Sequence, residues 1–189
     1  MKKLLSLGLI LFFSISAHAN WTLNNEKSSV NFISVKKSSI GEVHHFTSLT
    51  GELSKGKANV KIDLSSVDTK IAIRDERLKT MLFEVAQFPK LSIETAVDDA
   101  KVNSLKAGES YQSQIMLDVN LHGITKKMPT YIQVIKLTDN NVLVSSVYPI
   151  IVKASDFELE KGIEALRAVA NLPVISTAVP VSFNLVFTK

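Results

Sequence analysis

Polar and apolar residues trade places one by one along much of this chain, and that rhythm leaves little choice of fold. Successive side chains of a β-strand point to opposite faces, so a period of two marks strands with one face buried. Val179, Val181, Phe183, Leu185 and Phe187 alternate with Pro180, Ser182, Asn184 and Thr188. Ile115, Leu117, Val119 and Leu121 alternate with Gln114, Met116, Asp118 and Asn120. Ala58, Val60, Ile62 and Leu64 do so with Asn59, Lys61 and Asp63, and Leu91, Ile93, Thr95 and Val97 form a shorter example. Weaker strands are expected over 29–35, 43–53, 130–137 and 142–153. The total is about eight, several of them longer than the usual roughly five or six residues. Pro149 predicts a strand that is interrupted or lies at an edge, because proline cannot donate to a ladder.

Turn signals separate these runs: Ser54–Lys57, Lys106–Glu109, His122-Gly123 and Asp139–Asn141. Links this short favour antiparallel neighbours, since parallel strands need long crossovers. Two segments carry helical spacing instead. Residues 74–83 place Leu78 and Leu82 on one face, and 158–170 place Leu159, Ile163, Leu166 and Ala170 on one face, with Gly162 weakening the second. Long antiparallel strands with few helices form either a two-sheet sandwich or a closed barrel. An eight-stranded barrel is of the size at which the interior is either filled or holds one small ligand. The alternating positions are almost free of charge, so an enclosed interior here suits a hydrophobic guest.

The N-terminus reads as an export signal. Lys2 and Lys3 precede an apolar run from Leu4 to Ile15, and Ala17-His18-Ala19 is the small-x-small pattern cleaved by signal peptidase. The run is short of the roughly 20 residues that cross a bilayer. Residues 1–19 are therefore expected to be removed, leaving 20–189 as a single domain, with no membrane span. Removal takes two lysines and leaves 20 Lys+Arg against 18 Asp+Glu, a net charge of +2. That balance gives no support to nucleic-acid binding, which shows a basic face or stripe. The chain has no cysteine, which excludes disulfides, thiol catalysis and thiolate metal sites.

A set of motifs, in order along nearly the whole expected mature chain, resembles the YceI-like proteins. It begins at Trp21-Thr22-Leu23 and Ser28–Phe32, passes through Phe46–Gly51, and is most specific over Val60–Thr69 followed by Arg74–Leu78. Phe83, Phe88-Pro89 and the turn Leu121–Lys126 complete it. The resemblance implies a lipocalin-like fold: all-β with minor helices, an antiparallel eight-stranded barrel enclosing an apolar cavity. It also implies a periplasmic protein that binds a polyisoprenoid lipid or a similar amphiphile, a quinone being one candidate. Where many members carry an aromatic-Gly pair after the aspartate of the penultimate strand, Asp156-Phe157 here leads into the helical run 158–170. That run is expected over a barrel mouth.

On this reading Phe32, Phe46, Phe83, Phe88, Phe157, Phe183 and Phe187, with Ile115, Leu117, Val119 and Leu185, are the expected ligand-binding residues, because aromatic and aliphatic walls bury a flexible chain without directional demands. Arg74, with Arg167 or His45 as weaker candidates, is expected near a polar head group. The stronger reading of Asp68, Thr69, Arg74 and Asp75 is structural, as turn, cap and pairing residues. His44 and His45 point to opposite faces of a strand, so at most one can join His122, and no acidic cluster supports a metal site. The histidines are expected at the surface or rim. Ser65 and Ser66 lack a nucleophile-elbow context, and Asp98-Asp99 sit in a polar stretch expected to be exposed. No catalytic role, metal or cofactor is expected. Two rival roles stand: a barrel that docks a protein partner through the 158–170 helix, and an enzyme acting on a lipid or quinone.

Overall fold

The computed structural model describes residues 20–189; the export signal expected over 1–19 lies outside them. Twelve strands form one sheet that closes on itself. They are β1 (Trp21–Leu23), β2 (Ser29–Lys36), β3 (Ile40–Phe46), β4 (Leu49–Ser54), β5 (Lys57–Asp63), β6 (Val67–Asp68) and β7 (Lys90–Ala96). β8 (Ser110–Leu121), β9 (Ile124–Thr138), β10 (Asn141–Ser146), β11 (Ile150–Lys153) and β12 (Ala178–Thr188) follow. All pairings are antiparallel, and closure comes from β12, which pairs with β1 at Leu23↔Phe187 and with β2 at Phe32↔Val181.

Twelve strands make an eight-staved barrel because four staves are broken. β1 and β2 lie end to end along β12, interrupted by the single turn Asn25–Lys27. β3 and β4 form one stave and β5 and β6 the next, for β4 pairs with β5 and β3 with β6. β10 and β11 share one edge of β12, and the break expected at Pro149 falls between them. Each stave thus neighbours the next in sequence, an up-and-down barrel with no long crossover.

Among the described residues three α-helices accompany the strands: α1 (Ala72–Arg77), α2 (Asp99–Ser104) and α3 (Glu160–Val169). α1 widens into a π turn over Leu78–Leu82, where the Phe83 N–H donates to the Leu78 carbonyl at 2.9 Å. α3 starts two residues later than its apolar spacing predicts, because Glu158 takes a left-handed conformation (φ +55°) after the turn Ala154–Phe157. Gly162, which weakens a free helix, here also seats it. A Cβ there would stand 2.6 Å from the Met81 carbonyl oxygen and 2.9 Å from the Leu82 Cα, so only glycine lets α3 approach the π turn so closely.

At the opposite end the barrel is closed by Trp21, fully buried between the Nζ atoms of Lys136 and Lys189, which stand 4.6 and 4.5 Å from its ring centre. Lys136 is itself 4% exposed, and burial lowers the pKa of its ammonium group.

Candidate ligand cavity

The inward residues of the staves do not meet at the barrel axis. They leave a cavity of about 420 Å³, walled by Val60, Ile62, Ile93, Leu117, Val119 and Phe183, among others. That volume lies within the roughly 300–1,000 Å³ span of small-molecule sites. Of the residues expected to bind ligand, Phe32, Phe46, Phe83, Ile115, Leu117, Val119, Phe183, Leu185 and Phe187 line it. Phe32, Phe46 and Phe83 form a continuous aromatic group, with ring centres 5.3 and 5.9 Å apart. α3 and the residue before it seal this end by placing Ile163 and Leu159 in the wall, so the apolar side of the helix is spent on the barrel itself.

Three expected residues lie outside the lining. Phe157 is fully buried within the turn that precedes α3. Phe88 packs on His122, ring centres 4.3 Å apart, beneath the β8–β9 turn. Arg74 is held by structure: its Nη1 donates to Glu42 Oε2 at 2.9 Å and its Nη2 to the Thr69 carbonyl at 2.7 Å. Asp75 in turn accepts from the Thr69 amide at 2.9 Å, and Asp68 accepts from the Lys70 amide at 2.7 Å. Lys36, at 2.7 Å, and then Arg74 hold the Glu42 carboxyl below the usual carboxylate range.

The polar part of the lining gathers on one side. Thr95, Asp98, Lys101, Tyr111 and Ser113 all border the cavity there. β7 and β8 pair only from Ser92↔Asn120 to Glu94↔Asp118 and then splay apart. α2 fills the gap with Val102, which is 2% exposed, while Lys101 lies over the Tyr111 ring at 4.0 Å. Because Asp98 and Lys101 both border the cavity and face solvent, this splay is its mouth. The Asp98-Asp99 pair, expected in an exposed stretch, builds that mouth. Asp98 caps α2 by accepting from the Lys101 amide, and half-buried Asp99 accepts from the Gly56 amide at 2.6 Å.

One histidine also differs from expectation. His44, expected at the surface or rim, is 2% exposed; it points inward in phase with Phe46 and meets the Phe32 ring edge-on at 5.2 Å. Its Nε2 lies 2.8 Å from Ser34 Oγ. Burial first, and then the Arg74 cation, hold the imidazole below its ordinary pKa. A serine beside an imidazole has the outline of a nucleophile and base, and the triad pattern adds a third group that orients the imidazole. Among the described residues, none hydrogen-bonds to the buried Nδ1 of His44. His45 instead faces Asp68 at 3.4 Å, and His122 faces Glu84 at 3.8 Å. Among the described residues, no three metal-ligating carboxylates or histidines come together.

The family model of the YceI-like domain matches residues 21–187. The chain is similar to the structure of a polyisoprenoid-binding domain from Saccharophagus degradans, implicated in plant cell wall breakdown. The two are 38% identical, with a TM-score of 0.88 over 89% of this chain and 98% of that one. It shares its fold with Burkholderia cenocepacia BcnA, with a TM-score of 0.68 at 13% identity over 87% of this chain and 98% of that one. A search of curated protein sequences finds no match.

Proposed function

The chain belongs to the YceI-like domain family, and from that premise we propose that it is an exported carrier of a long-chain amphiphile, a polyisoprenoid or a prenyl quinone. The observation that carries this reading is the cavity: aliphatic and phenylalanine side chains around an unfilled volume, with polar groups confined to one mouth. A prenyl chain is nearly insoluble in water, and each buried CH₂ gains roughly 0.8 kcal/mol. A dry tunnel therefore binds such a chain without needing directional contacts. The 38% identical relative, described as polyisoprenoid-binding, supports the same class of ligand.

The residues we assign to the chain are Phe32, Phe46, Phe83, Ile115, Leu117, Val119, Phe183, Leu185 and Phe187. The head group then rests at the mouth, where Lys101, Tyr111 and Ser113 offer donors and Asp98 an acceptor. We read the protein as a binder that releases its ligand unchanged, in keeping with the 38% identical relative described as a binding domain. Delivery to the periplasm rests on the Lys2–Ala19 export signal together with family membership.

Mass spectrometry of an organic extract of the purified protein tests the proposal. A prenyl lipid in near-stoichiometric amount is the expected result. An extract without lipid, combined with failure to take up a polyprenol from detergent micelles, overturns it.

A further inference from the structure

The barrel wall has a second weakness, two staves round from the mouth and nearer the β8–β9 turn. β9 pairs with β8 along its length, but with β10 only from Ile132 onward. The last hydrogen bond across that side runs from the Val147 amide to the Tyr131 carbonyl at 2.8 Å. Beyond it, Ile124–Thr130 of β9 faces β11, whose pairing is with β12 alone. Pro129 and Pro149 have no N–H, so neither can donate across this seam.

A surface cleft of about 400 Å³ lies along the seam. Met128 and Ile150 border both this cleft and the inner cavity, so at this point the wall is one layer of side chains thick. Four of the protein's exposed large hydrophobic residues surround it: Met116, Tyr131, Tyr148 and Ile151, each between 47% and 64% exposed. The strand registers join them. Met116 lies opposite Pro129, Tyr131 and Tyr148 meet edge-on at 6.1 Å, and Ile151 lies opposite Pro180. Lys126 and Lys127 line the cleft and Lys153 follows Ile151 on the same outer face. Asp118 holds Lys127 at 2.7 Å, and Asp156 is the other acid at the cleft.

We propose that this outer surface docks on a lipid bilayer, and that the seam is the passage by which a prenyl chain moves between bilayer and cavity. Tyrosine suits the boundary of a membrane, with its ring in the apolar layer and its hydroxyl in the wet one. Lysines beside it add attraction to anionic lipids. The methionine in the wall is unbranched and adaptable, and so can move aside for a chain. The passage rests on the carrier reading above; the docking does not.

Flotation of the lipid-free protein with vesicles of phosphatidylcholine and phosphatidylglycerol tests the docking directly. The expected result is that the protein floats, that added salt weakens it, and that Tyr131→Ser with Tyr148→Ser lowers partitioning about tenfold. Lys127→Glu with Lys153→Glu is a second, independent route to the same loss. Val43→Ser, at an exposed apolar residue of β3, is expected to change nothing. A wild-type protein that stays at the bottom of the gradient overturns the proposal, as does equal partitioning of the tyrosine and Val43 variants. Failure to load from detergent micelles strikes instead at the carrier reading and leaves the flotation result standing.

Discussion

An imidazole at position 44 occupies a place that the alternation of β3 assigns to the barrel interior. His44 is in phase with Phe46, and burial lowers its pKa in the fold. As its folded pKa lies below the unfolded one near 6.5, the unfolded chain takes up the proton first on acidification. The stabilising contribution of neutral His44 is whole above that value and is lost as pH falls through it. Glu42, with its pKa lowered, loses its own contribution only at more acid pH. Tm is therefore expected to fall between about pH 7 and pH 5.5 in the wild type and to stay nearly level in His44→Gln, as scanning calorimetry can measure. Gly162 makes the opposite lesson. In a free helix Gly→Ala gains about 1 kcal/mol, but at this site the added methyl meets the Met81 carbonyl at 2.6 Å. Denaturant unfolding of Gly162→Ala is expected to show a net loss of about 1–3 kcal/mol. Both facts were half-legible. The phase of His44 with Phe46 is written in the sequence, whereas the close approach of α3 to the π turn is a tertiary contact between segments eighty residues apart in the chain.

Strands announced themselves more clearly than the pieces that break and seal them. The long strands β5, β8 and β12 show a clean period of two because one face of each looks into the cavity. Even the break between β10 and β11 follows from Pro149. The three-residue β1 and six-residue α2 were not legible, being too short to display a period. Yet β1 helps close the barrel and α2 shapes its mouth. The latter is anchored to the β4–β5 turn through the Gly56 amide and Asp99 Oδ2. A hydrogen bond to a charged acceptor is worth about 1.5–3 kcal/mol, so Asp99→Ala is expected to speed local hydrogen exchange over 99–104 about 10- to 100-fold. Amides of β12 should exchange as before. Acceleration spread over the whole barrel would mean that α2 is part of the global fold rather than a separable cover.

Across the whole molecule, closure and emptiness are coupled. A closed ladder, sealed by α3 at one end and by Trp21 with Lys136 at the other, holds its walls apart without side chains meeting at the axis. Most of the cavity residues were legible because strand alternation picks out inward positions. The mouth and the seam were not, because both arise where neighbouring strands fail to pair, and pairing partners are not written in the alternation. An unfilled apolar interior forgoes packing contacts, so a guest that fills it should stabilise the fold. A ligand at a hundred times its Kd adds about 2.7 kcal/mol, which for a domain of this size raises Tm by roughly 5–10 °C. The delipidated protein is thus expected to melt lower than the loaded one, and to recover that interval on adding a polyprenol in detergent. Val119→Trp places an indole in the wall, consumes the space and competes with the guest. Its Tm is expected to be nearly independent of the polyprenol, while Tyr131→Ser, outside the cavity, retains the full shift. An equal rise in all three proteins would assign the stabilisation to detergent or surface binding instead of to the barrel interior.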